Sequence, residues 1–182
     1  MLAVGLATAF ALAAGGAQAQ NTTQDKMQNQ AQAKKADSAS QSFIKSAIEG
    51  NYAEINVGKL AQEKGKSDAV KQFGQTLVTD HTAANEKAIA AAKEIGVTPP
   101  TGSGLMEKGT YLKLKVLSGD TFDRSFANSM VSDHKADIKE FQKESSKTDA
   151  AGQFAKQTLP TLQKHLQQAQ QLARETQTTG SK

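Results

Sequence analysis

Residues 70–92 read VKQFGQTLVTDHTAANEKAIAAA. Val70, Phe73, Leu77, Ala84, Ala88 and Ala92 recur at three- and four-residue steps, and His81 fills the step between Leu77 and Ala84. Such spacing lines one stripe of an α-helix, whereas a half-buried strand would alternate at every second position. Ser67 offers an N-cap before the run and Gly96 a stop after it. A helix this long with one apolar stripe must bury that stripe against other helices.

The same rhythm appears on both sides. Upstream, Phe43, Ile44, Ala47, Ile48, Ile55, Leu60 and Ala61 define a first helix, expected to start with Ser40 as N-cap and to end at Lys64-Gly65. Downstream, residues 97–104 contain Pro99, Pro100 and two Gly and read as a loop, after which residues 106–117 form a short amphipathic helix closed by Gly119. Asp120, with Asp123 three residues on, is the expected cap of a third long helix carrying Phe122, Phe126, Ala127, Val131, Ile138 and Phe141 inward. The last, over about residues 150–175, aligns Phe154, Ala155, Leu159, Leu162, Leu166, Ala169, Leu172 and Ala173, with a kink expected at Pro160. The fold class is therefore all-α: an antiparallel four-helix bundle with a short extra helix in the connection between helices 2 and 3.

The termini read differently. Residues 2–14 are an apolar run, followed by Gly15-Gly16 and the small-x-small triplet Ala17-Gln18-Ala19, which marks a secretory leader (1–19) cleaved after Ala19. No basic residue precedes the run, so an uncut N-terminal anchor is the alternative. Residues 20–39 are Gln-, Asn-, Lys- and Ala-rich and bury too little to order themselves, and residues 176–182 form a second polar tail; the bundle occupies 40–175. No later segment approaches the roughly 20 apolar residues of a membrane span. Periplasm or cell envelope is the expected location.

Composition narrows the chemistry. With no Cys, disulfides, thiolate catalysis and Cys-type zinc or iron–sulfur sites are excluded. The 22 basic and 18 acidic residues leave a net charge of +4, but they are interspersed, without a basic stripe interleaved with aromatics, so no nucleic-acid partner is expected. An envelope surface or a protein partner remains open. No G-x-S-x-G elbow and no phosphate-binding glycine loop are present.

The functional clue is histidine placement. The chain has three, and each lies on the apolar stripe of a different long helix: His81, His134 between Val131 and Ile138, and His165 between Leu162 and Ala169. Asp80 and Asp133 directly precede two of them, but adjacent helical residues face apart, so these carboxylates point to a flank or a neighbouring helix. Asp137, three residues after His134, shares its face. The first helix places Glu54 in register with Ala47, Asn51, Gly58 and Ala61, making it the expected inward acid. His81, His134 and His165 with Glu54 and Asp137, supported by Asp80, would suit a divalent zinc, iron or copper ion. The plainer reading is a layer of neutral core histidines hydrogen-bonded to carboxylates and to Asn85, fixing helix register.

Phe73, Leu77-Val78, Asp80-His81 and Asn85, then Phe122-Asp123 and Met130-Val131 with Asp133-His134, then Thr158-Leu159-Pro160, Leu162 and His165-Leu166 resemble a ferritin-like family of unknown function, over about residues 42–173. Its members are exported bacterial proteins often labelled outer membrane proteins. The resemblance implies a ferritin-like bundle in the periplasm or envelope and brings no known reaction. Di-iron relatives of the wider fold carry Glu three residues before His, where this chain has Val78, Val131 and Leu162, which sets it apart from ferroxidase chemistry. The expected function is thus a non-catalytic stress-related or partner-binding envelope protein, the alternative being a metal-binding protein or metalloenzyme.

Overall fold

The computed structural model describes residues 36–104 and 108–179. The expected leader and nearly all of the N-terminal tail lie outside the described residues. Among the described residues five helices follow in order: α1 (Ser38–Lys64), α2 (Asp68–Glu94), α3 (Lys108–Lys115), α4 (Gly119–Glu144) and α5 (Ala150–Thr179). Among the described residues there is no strand, and no helix is long and apolar enough to cross a membrane.

The helix ends follow the capping chemistry of the sequence, with three corrections. At α1 the cap is Asp37, whose carboxylate accepts from the Ser40 N–H at 2.7 Å. Ser40 shares the inward face of Ile44 and Ala47, and its buried hydroxyl donates to Glu144 on α4 instead. At α4 the helix begins at Gly119, not after Asp120, with Ser118 in the cap position. Asp120 pairs with Lys66 at 2.8 Å, while buried Asp123 accepts from the backbone N–H groups of Lys66 and Ser67, each at 2.9 Å, clamping the α1–α2 turn. A carboxylate there also suits the positive end of α2. At α5 the helix continues past Glu175 to Thr179, because Thr176 is buried and its hydroxyl bonds back to the Leu172 carbonyl. Pro160 sits inside α5 on an exposed face, and the helix is continuous through it.

The other ends are as their residues dictate. Ser67 accepts from the Val70 N–H, and α2 closes at Gly96, whose φ of 74° needs a residue without a Cβ, while the Val97 N–H reaches back to the Ala92 carbonyl at 2.8 Å.

Packing pairs α1 with α2 and α4 with α5, and α2 also lies against α5. The α1–α2 pair is close: a Cβ at Gly58 would stand 2.7 Å from the Gly74 carbonyl oxygen, and one at Gly74 would stand 2.6 Å from that of Gly58. Only glycine admits this contact.

Two apolar cores result. One gathers Ile44, Ile48, Ala88, Ala92, Phe141 and Phe154; the other gathers Val57, Leu60, Phe73, Leu77, Phe122, Phe126 and Met130. Each core draws on opposite halves of α1 and α2, and again of α4 and α5. Leu114 anchors α3 to the second core, leaving Leu112 and Val116 exposed. Ile55, Val78, Val131 and Ile138 lie at stripe edges and are half-buried. Between the two cores, in sequence along every long helix, come the buried polar side chains Asn51, Glu54, His81, Asn85, His134 and His165.

Candidate functional site

The three histidines meet at this polar level. Their helical steps put them inward on α2, α4 and α5, with exposures of 4%, 0% and 0%. One ring nitrogen from each lies within 4.8 Å of the other two, and ring centroids are 5.3–5.8 Å apart. Among the described residues this is the set of donor atoms that converges as a metal site.

The outer nitrogens fix the tautomers. His134 Nδ1 stands 3.0 Å from the Met130 carbonyl oxygen, which can only accept, so Nδ1 carries the hydrogen. His165 Nε2 stands 2.8 Å from a carboxylate oxygen of Asp80 and donates to it. His81 Nδ1 donates to the Asn51 amide oxygen at 2.9 Å. A neutral imidazole with one nitrogen protonated keeps a lone pair on the other. Three lone pairs therefore remain, on His81 Nε2, His134 Nε2 and His165 Nδ1.

Two of these face each other: His134 Nε2 and His165 Nδ1 are 3.3 Å apart. With both neutral no proton lies between them, so the pair is a confrontation of acceptors rather than a hydrogen bond. The third, His81 Nε2, is buried without a partner. Protonation would relieve the confrontation, but the surroundings oppose it. Burial, then His134 and His165, hold His81 well below the ordinary imidazole range. Burial, then His165, bring His134 down to about 4, while its hydrogen bond to the Met130 carbonyl pulls the other way. Burial lowers His165 too, although Asp80 pulls the other way.

A metal ion would satisfy the three lone pairs together. Imidazole nitrogens about 2.0–2.1 Å from a tetrahedral ion lie roughly 3.3 Å from one another, matching the His134–His165 separation. Each ring's second nitrogen already donates to an oxygen, an arrangement that orients ligating imidazoles and raises their basicity. Three protein ligands would leave a fourth position for water or another donor.

The other expected site residues fall elsewhere. Asp80 is half-exposed on α2 and reaches across to His165, not to its neighbour His81. Glu54 is 6% exposed, and its Oε2 has no partner. Burial first, then Asp137 and Asp133, push its carboxyl well above the usual range. With half-buried Asp133 and Asp137 it lines a cleft of about 410 Å³ beside the histidines. Asn85 is buried with its amide oxygen unpartnered. Reading the sequence for acids overlooked Asn51, which holds the outer nitrogen of His81; its signal is its position one turn before Glu54 on the same stripe.

Comparison with known proteins agrees on the fold. The family described as "Domain of unknown function (DUF4142)" matches residues 25–172. A solved fragment of a DUF305 protein from Deinococcus radiodurans is similar in structure, with a TM-score of 0.67 at 12% sequence identity, over 76% of this chain and 98% of that one. No curated protein matches the chain.

Proposed function

The chain belongs to the DUF4142 family, and on that premise, which names no reaction, we propose that it is a metal-binding protein of the cell envelope. His81, His134 and His165 hold a divalent first-row transition ion, with zinc, copper and iron the candidates by ligand type. The long helices α1, α2, α4 and α5 form an antiparallel, ferritin-like four-helix bundle. Support for that arrangement comes from the two cores, which take alternate halves of successive long helices. Export rests on the apolar run at residues 2–14 and the Ala17-Gln18-Ala19 triplet.

The observation that carries the reading is the convergence of three lone pairs in a buried site that resists protonation. A purely structural layer is the second reading, favoured by the hydrogen bond each ring makes through its outer nitrogen. It leaves the inner nitrogens unexplained, since a buried unsatisfied polar group costs about 1–3 kcal/mol. Ion binding is the role assigned, because the three converging lone pairs support it directly. Elemental analysis of protein purified without chelator or metal-affinity resin, followed by titration with zinc and copper, tests it. One tightly held ion per chain is expected; a chain that holds none after dialysis against excess metal overturns the proposal.

A further inference from the structure

An ion bound by three fully buried rings must have a way in. A small cavity of about 160 Å³ reaches His81, and Gly50, Asn51 and Asp137 are among the residues around it. Gly50 and Asp137 also border the larger cleft that Glu54 and Asp133 line. The two spaces thus share Gly50 and Asp137, so that exposed Ala136, three carboxyl groups and an imidazole lie along adjoining spaces; exposed Ser46 and Glu140 also border the smaller one. Glu54 Oε2, buried and without a partner, is an acceptor that a cation or its water would satisfy. At Gly50 a Cβ would meet nothing within 4 Å, so the glycine is not demanded by packing there.

On the far side a comparable cleft of about 170 Å³ borders Asp80, but Lys87 lines it as well, and the Asp80 carboxylate is engaged by His165. That cleft presents a cation with a positive charge.

We propose that the cleft of Glu54, Asp133 and Asp137 is the port through which a divalent cation reaches the three histidines, its carboxyl oxygens holding the ion in transit. The inference rests on the trihistidine reading. Its acids give the cleft negative charge, tempered by Lys113 near Asp133, and a negatively charged cleft concentrates cations and raises association rates by roughly 10- to 1,000-fold, an effect that falls with ionic strength.

The test is stopped-flow loading of the full chain with Zn²⁺ against a chromophoric chelator, with release followed into excess chelator. Gly50→Leu narrows the space that the two cavities share and, by microscopic reversibility, should slow loading and release by the same factor. Loss of a ligand would instead speed release. Asp137→Asn should lower the loading rate by roughly tenfold at low salt and flatten its ionic-strength dependence. If Gly50→Leu loads and releases as fast as the parent, or if Lys87→Glu speeds loading while Asp137→Asn leaves it unchanged, ions pass elsewhere and the port is refuted. A parent chain that takes up no Zn²⁺ at all fails differently, removing the trihistidine site and the port with it.

Discussion

Replacing His81 by leucine separates a metal ligand from a structural hydrogen-bonding residue. In the metal-free protein the substitution removes one buried unsatisfied atom, Nε2, and creates another by stripping Asn51 Oδ1 of its donor. Each such atom costs about 1–3 kcal/mol, so the two effects nearly cancel. Leucine also fills most of the ring's volume, leaving metal-free stability within about 1 kcal/mol of the parent. The metal-bound state behaves otherwise. At 100 times its Kd an ion stabilises the native state by about 2.7 kcal/mol, or roughly 8 °C in a domain of this size. With one of three ligands gone, His81→Leu should show less than about a quarter of that shift. Thermal melting of both proteins, in chelator and in Zn²⁺, measures all four states. A metal-free variant weakened by more than about 3 kcal/mol, beside a parent whose melting ignores metal, would show that the ring is structural and refute the reasoning.

The pH dependence has a definite sign: all three imidazoles titrate lower in the folded chain than in the unfolded one, so below pH 6.5 the unfolded state binds more protons and metal-free stability drops as the pH is lowered. His134 alone, at about 4, accounts for about 1.6 kcal/mol between pH 6.5 and 5; the raised Glu54 and Asp133 carboxyls oppose this as two groups against three, and a melting temperature that rises on acidification would contradict the balance. Asp80→Asn leaves His165 Nε2 without its carboxylate acceptor and should weaken Zn²⁺ binding by about 10- to 100-fold in a competition titration, while unchanged affinity would show that Asp80 does not hold the ring. Gly58→Ala forces a Cβ against the Gly74 carbonyl and should cost about 1–3 kcal/mol by urea unfolding, whereas Gly50→Ala, with open space around it, should gain up to about 1 kcal/mol; equal effects would mean that α1 and α2 are not in tight backbone contact.

Much of this molecule is legible in one dimension. The steps from Val70 to Ala92 fix α2 and its inward face, and Ser67, Gly65 and Gly96 mark its ends through local capping and turn chemistry. The inward placement of His81, His134 and His165 follows from the same periodicity, because a residue's angle about its own helix axis depends only on its neighbours in sequence. What periodicity cannot supply is the height at which one helix meets the next. Hence Asn51 rather than Glu54 holds His81, Asp80 serves the ring across from it rather than the one beside it, and Asp123 clamps a distant turn rather than capping its own helix. The tautomers, the lone pairs facing at 3.3 Å and the orphaned Nε2 depend on oxygens brought in by other helices. The sequence by itself determined which residues turn inward; only tertiary packing decided which atoms of those residues face one another, because relative axial position is set by how the side chains of separate helices interdigitate.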